Sequence, residues 1–259
     1  DHRDLHVRSR RQRQMCIRDS YRGDYGGSNI MIKFGTLGAA RITPAALIDP
    51  CKNNDNALIS VVAARDRSRA EAFAREHDIA NVVDCYEDVI RHPDIDAVYN
   101  PLHIGLHHEW SIKALRAGKH VLCEKAIACN AKEAEEMAVV ARETGRVLMD
   151  AFHYRYHPCF IRAKEICASG ALGDISEIDG LFHVAGHLEN DIRTSYETAG
   201  GVTMDIGCYP ISCVRHHVRQ HPEVRAATSQ NWPPDVSSYK EVPLDASSRE
   251  GPPNACLLY

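Results

Sequence analysis

The apolar run Val121–Leu122–Cys123 ends abruptly in Glu124–Lys125, before a polar turn and a new helical pattern that starts at Ala131. An acid–base pair at the end of a buried strand can move or stabilise a proton on a bound oxygen. It can equally be two surface charges where a strand meets solvent. A second stretch, "LGAARIT" (Leu37 to Thr43), carries a different chemistry. Set against G-x-G-x-x-G, it has Gly38 in the first place, Ala40 in the second and Thr43 in the third, so two of the three glycines are replaced. The small Ala40 still lets the backbone approach a pyrophosphate. Gly38, Ala39, Ala40, Arg41 and Ile42 would then lead into a helix whose free N–H groups and dipole favour an anion. Both readings depend on where these residues sit in a fold.

The elements that must position them are regular from Ile30 onward. "IMIKFGTLG" is an apolar run closed by glycine, and "AARITPAALIDP" starts a short helix. Strands are expected at "NALISVVAARD", "NVVD", "DIDAVYNP", "HVLCEK" and "RVLMDAF". Helices are expected at "RSRAEAFAREHDI", "CYEDVIRHP", "LHHEWSIKALRAGK" and "AKEAEEMAVVARETG". Strand and helix alternate six times, which argues for βαβ units and a parallel sheet. Runs such as "ISVVAA" lack alternation, as strands buried on both faces do. The fold class is therefore α/β, with an N-terminal Rossmann doubly wound parallel sheet. After Ala151 the character changes to a second α+β region. It has a helix at "FIRAKEICASGALG", a long strand at "DISEIDGLFHVAG", and a glycine-rich crossing, "ETAGGVTMDIGCYPISCVRHHV", that ends as a helix.

Composition excludes several classes. The 259 residues carry a net charge of −4, with no basic excess for nucleic acid or an anionic membrane. No apolar run approaches the roughly 18 residues needed to span a bilayer. The ten cysteines are dispersed and form no Cys-x-x-Cys pair, and the fifteen histidines are spread out. No metal site is expected, and scattered thiols fit a reducing cytoplasm.

The ends read differently. Arg10 to Ser20 back-translates cleanly to a common transposon adapter used in sequencing libraries, and the last four residues, "CLLY", to the start of its complementary strand. The native fragment is expected to run from about Tyr21 to about Ala255. The expected organisation is a non-native or disordered extension over 1–28 and a dinucleotide-binding domain over 29–150. A partial α+β domain follows over 151–236, then a disordered or non-native tail over 237–259.

In a doubly wound sheet, ligands lie beyond the carboxyl ends of the strands. Glu124–Lys125 closes the fifth strand and Asn100–Pro101 the fourth, so both should face a nicotinamide. Hydride transfer at a carbonyl carbon needs a partner that moves a proton on the oxygen, and a tyrosine beside a lysine can do this. The ammonium would bring the phenol's pKa toward working pH. At the end of the second strand an acid would favour NAD. Here Ala64 stands in that place, followed by Arg65, Asp66 and Ser68. A guanidinium pairs with a 2′-phosphate in bidentate fashion, so NADP is expected over NAD. The alternative is that Asp66 does the acid's work for NAD. The cofactor-binding set read this way is Gly38, Ala39, Ala40, Arg41, Ile42, Arg65, Ser68, Asn100, Pro101, Leu102, His107, Glu124 and Lys125, to which the resemblance below adds Arg155.

"GAARIT", "YNPL", "GKHVLCEK", "AFHYRYHP" and "GGVTMDIGCYP", in this order, resemble the Gfo/Idh/MocA oxidoreductases, nearest the branch of glucose–fructose oxidoreductase and dimeric dihydrodiol dehydrogenase. The resemblance runs from about Ile32 to about Val236. It implies an NADP-dependent oxidoreductase of sugars, cyclic polyols or dihydrodiols. It also implies a second domain with an open, mostly antiparallel sheet that commonly builds a homodimer interface. Lys125 matches the lysine of the family's Glu-Lys-Pro motif, and Tyr209 the proton-transferring tyrosine. Asp205 keeps an aspartate position for substrate or support. Tyr154 and Arg155 should lie near the nicotinamide, with Tyr154 and Arg193 toward substrate. There are departures. Ala126 replaces the motif proline, which favours a trans Lys125–Ala126 bond, and His103 stands where proline is expected. The family's second sheet also uses strands past the chain's end, which would leave an apolar face open. Two rivals therefore stand beside the enzyme: a catalytically impaired nucleotide-binding homologue, and a non-functional gene fragment.

Overall fold

The computed structural model describes residues 31–183 and 191–218, and the backbone of 228–231, 240–241 and 255–258. Six strands form one parallel sheet: β1 (Ile32–Leu37), β2 (Ala57–Ala63), β3 (Asn81–Val82), β4 (Ala97–Asn100), β5 (His120–Cys123) and β6 (Leu148–Asp150). Their order is β3-β2-β1-β4-β5-β6. The winding reverses between β1 and β4, the place where a doubly wound sheet opens a crevice at its carboxyl edge. The six expected strands and the Rossmann topology are all present.

Between the strands lie α1 (Asp49–Lys52, continuing a π turn at Pro44–Ile48), α2 (Arg67–His77), α3 (Tyr86–Arg91), α4 (His107–Arg116) and α5 (Ala131–Thr144). They cover both faces of the sheet. Val61, Val98, Val121 and Cys123 turn to one side, with Val89 of α3, Ala114 and Leu115 of α4, and Met137 and Val140 of α5. Ile59, Val62 and Tyr99 turn to the other, with Leu47, Ile48 and the α2 residues Ala70 and Ala74. Two-sided burial is why the strands read as unbroken apolar runs. Where α3 crosses β1 there is room only for glycine: a Cβ on Gly35 would lie 2.5 Å from Val89 Cγ1 and 2.9 Å from Ile95 Cδ1.

Caps set the helix ends. Asp66 Oδ1 accepts from Ser68 N (2.8 Å) and from the Ser68 hydroxyl (2.7 Å), starting α2. Asn130 caps α5 by accepting from Glu133 N at 3.0 Å, while the Glu133 carboxylate reaches back to Cys129 N. Gly145, at φ 63°, closes that helix in the left-handed conformation.

The second region keeps its two expected helices and departs from its expected form between them. It contains a 3₁₀ turn at His153–Tyr156, α6 (Pro158–Ala168), two further 3₁₀ turns at Ile192–Thr194 and Tyr196–Thr198, a π turn at Thr203–Gly207 and α7 (Cys208–Val218). The long strand expected over 174–186 is not formed over its described residues. Residues 174–183 join no sheet, and 184–186 lie outside the described residues. Of Ile175, Ile178 and Leu181, whose partial alternation suggests that strand, Ile175 and Leu181 are 40% and 78% exposed. An isolated strand has no neighbour to complete its backbone ladder. A small antiparallel sheet of β7 (Thr228–Asn231), β8 (Lys240–Glu241) and β9 (Ala255–Leu258) has the order β8-β7-β9. Thus 240–241 and 255–258 are paired strand within the tail where disorder is expected.

Candidate active site

A cleft of about 640 Å³ opens at the carboxyl edge of the sheet. Ile42 from the phosphate loop, Pro101, Leu102 and His103 after β4, and Glu124 and Lys125 after β5 line the Rossmann side. His153, Tyr156, Arg193, Asp205 and Tyr209 line the other. The chain turns out of β1 through Gly38 at φ 94°, a conformation that favours glycine. A Cβ there would meet Leu102 Cδ2 at 3.4 Å, an ordinary contact, so it is the backbone conformation that calls for glycine.

Lys125, Asp205 and Tyr209, which lie far apart in sequence, meet here. Lys125 Nζ donates to Asp205 Oδ1 at 2.9 Å and to the Asp205 carbonyl at 2.5 Å. It also sits 5.2 Å from the centre of the Tyr209 ring. Only 17% of the Lys125 side chain and 12% of the Asp205 side chain are exposed, so the pair interacts with little solvent screening. The Tyr209 ring packs edge-on against Phe152 and tilted against Tyr154 and Phe182. Burial, reinforced by Cys208, Glu124 and Asp205, pushes its phenol up to about 12. This corrects the expectation that the ammonium lowers it. Lys125 gives its charge to Asp205 and stacks over the ring instead of bonding the hydroxyl.

Several other expectations change with side-chain direction. Asn100 and His107 are both completely buried and turn inward, away from the cleft. Neighbours along a strand point to opposite faces, and Asn100 faces α4, donating to Ser111 Oγ at 3.1 Å and to the His107 carbonyl at 3.3 Å. The His107 ring lies 2.7 Å from the Leu102 carbonyl and 2.8 Å from that of Ala126. Burial holds its pKa below the usual value, so the neutral ring donates to one of these at a time. Ser68 is engaged with Asp66 in the α2 cap. In the 3₁₀ turn, His153 and Tyr156 are three residues apart and share the face that lines the cleft. Tyr154 and Arg155, the residues expected there, lie on other faces. Tyr154 Oη donates to Ser212 Oγ at 2.8 Å, and Arg155 pairs with Asp150 at 3.0 Å beside a second cavity. The three-residue period is the signal that would have picked His153 and Tyr156. The Lys125–Ala126 bond is cis, not trans.

Arg193 lines the cleft, and Asp191 takes its guanidinium at 2.9 and 2.8 Å. Arg41, 90% exposed, approaches the same carboxylate at 3.7 Å. Ala39 packs on the core beneath the loop, while Ala40 is half-buried at its surface. Arg65 is exposed and forms no ion pair among the described residues. His103 Nδ1 is buried without a hydrogen-bond partner, and burial together with Arg65 lowers its pKa. Among the described residues no group of three His, Cys, Asp or Glu could hold a metal ion.

Residues 32–152 match the family described as "Oxidoreductase family, NAD-binding Rossmann fold", and residues 160–248 match the "GFO/IDH/MocA C-terminal domain". The D-xylose 1-dehydrogenase (NADP(+)) 2 of Haloferax volcanii is 35% identical over 196 residues, which cover 76% of this chain and 60% of that protein. The trans-1,2-dihydrobenzene-1,2-diol dehydrogenase of Xenopus tropicalis is 33% identical over 156 residues, covering 60% of this chain and 47% of that one. Among solved structures, a 3-ketoreductase from Actinomadura kijaniata in complex with NADP and TDP-benzene aligns with a TM-score of 0.68 at 32% identity, covering 73% of this chain and 57% of that one. The chain spans about six-tenths of the length of the curated relatives it matches. With the Rossmann half and the following half matching the two domains of one family in order, the chain belongs to the Gfo/Idh/MocA oxidoreductases.

Proposed function

We propose that the chain is the cofactor-binding and reacting part of an NADP-dependent oxidoreductase that acts on a sugar, a cyclic polyol or a dihydrodiol. The observation that carries this reading is the meeting of Lys125, Asp205 and Tyr209 in the cleft beyond β5. A bound nicotinamide would supply or accept the hydride. Gly38, which turns the chain out of β1 at φ 94°, and the exposed guanidinium of Arg65 suit its phosphates. Asp66 supports NADP over NAD, because its carboxylate is engaged in capping α2.

Tyr209 acts as the acid. Its hydroxyl makes no hydrogen bond among the described residues, and its raised pKa keeps the proton on at neutral pH. It delivers that proton to the substrate oxygen as the carbon is reduced, and takes it back in oxidation. Lys125, fixed by Asp205, stacks over the ring and holds the phenol at the cleft. Arg193, which lines the cleft and is oriented by Asp191, would hold a substrate hydroxyl.

The reading extends to a Rossmann domain over 29–150, a second domain from 151, homodimerisation through the second domain, and a cytoplasmic setting. The eight free thiols among the described residues support the last. Screening sugars, polyols and dihydrodiols for NADPH-linked turnover tests the whole. Lys125→Met and Tyr209→Phe are expected to keep NADPH binding while turnover falls, for Tyr209→Phe by about 100- to 10,000-fold. Retained turnover refutes those roles.

A further inference from the structure

We propose that Tyr99 is a positioning residue for the reaction, acting through Glu124 on the backbone of Lys125. The inference rests on the catalytic reading of Lys125. It begins with register: β4 and β5 are parallel neighbours, with Tyr99 opposite Leu122 and Asn100 opposite Cys123. Side chains alternate along a strand, so Tyr99, Leu122 and Glu124 share one face. Glu124 N continues the ladder to the Asn100 carbonyl at 3.0 Å. This brings the end of the Tyr99 side chain to the Glu124 carboxylate, and Tyr99 Oη donates to Glu124 Oε1 at 2.7 Å. The other oxygen, Oε2, accepts from Lys125 N at 3.3 Å.

The carboxylate therefore bridges a buried phenol and the backbone of the residue that carries the ammonium. On the far side of Lys125, the Ala126 carbonyl faces His107 of α4 at 2.8 Å. The turn is gripped on both sides of Lys125 by side chains anchored in the sheet and its covering helix. Tyr99 is completely buried among Ile48, Ile59 and Val62, so its hydroxyl has no solvent to fall back on. Burial and the Glu124 charge keep the phenol protonated, and so a donor. The hydroxyl is needed only for Glu124, which is why the residue reads as more than packing.

Tyr99→Phe isolates that hydroxyl. A hydrogen bond to a charged group is worth about 1.5–3 kcal/mol, so kcat is expected to fall on the order of 10- to 100-fold. The Kd for NADPH should stay within about twofold, because the phosphate loop and Arg65 are untouched. Glu124→Gln lowers kcat as well, and the double variant should lose much less than the product of the two single losses. Hydrogen exchange gives a readout independent of turnover. Protection of the Lys125 amide should fall by about tenfold, with the amides of α4 unchanged. An unchanged kcat in Tyr99→Phe, losses that multiply in the double variant, or unaltered Lys125 protection would each overturn the proposal. A parent protein that turns over no substrate would instead count against the functional reading, and the exchange result still decides the role of Tyr99.

Discussion

Arg65 and Asp66 are adjacent, yet the structure gives them different work. The Asp66 carboxylate is engaged by the first turn of α2, whereas Arg65 remains exposed at the carboxyl end of β2. Replacing Arg65 with Ala is therefore expected to weaken NADPH binding by about tenfold or more and to leave NADH binding nearly unchanged, measured by parallel titrations. An equal loss for both nucleotides would remove the argument. Tyr209 yields a pH prediction. A phenol pushed up to about 12 stays protonated through the working range. In carbonyl reduction, then, the profile of kcat against pH should show no loss of the proton donor up to about pH 10. A basic limb between pH 7 and 9 that disappears in Tyr209→Phe would contradict this. At this scale the sequence was informative where ordered motifs pick residues that meet in the cleft, as at Lys125, Asp205 and Tyr209. It was uninformative where direction decides. Asn100 and His107 sit in the right loops, but strand alternation and the packing of α4 turn them into the interior. Tyr154 and Arg155 miss the cleft because their 3₁₀ turn presents His153 and Tyr156 instead.

The strands and helices of the Rossmann half owe their positions to two-sided burial and to caps. At Gly35, β1 passes so close to α3 that an added methyl collides with Val89 and Ile95. Gly35→Ala is expected to destabilise the fold by about 1–3 kcal/mol in chemical denaturation. Asn130→Ala removes the acceptor for Glu133 N and should cost about 1 kcal/mol. Neither change touches the cleft, so a wild-type midpoint in both variants would mean that the sheet and α5 are held differently. These elements were legible because apolar runs, glycine stops and helical periodicity all agreed. The strand expected over 174–186 was not, since alternation at Ile175, Ile178 and Leu181 describes a face without supplying the neighbouring strand that would complete its ladder.

Across the whole molecule, the sheet and the segment after it share one cleft. Lys125 from the end of β5 and Asp205 from the turn before α7 are 80 residues apart and close it together. The described part of the second region carries Leu172, Leu181, Phe182, Ile192 and Tyr196 on its surface, each at least 45% exposed. Apolar surface of this kind can mark an interaction site, and under the proposed homodimer sedimentation is expected to show self-association; a strictly monomeric species at all concentrations would contradict that proposal. Family and architecture were readable from five ordered motifs, but which side chains face the cleft emerged only from the packed chain. The most direct test of the account is a fluorescence titration of the protein with NADPH and, separately, with NADH. NADPH binding tighter than NADH by about tenfold or more is the predicted result. NADH binding as tightly or more tightly, or neither nucleotide binding, would contradict the account.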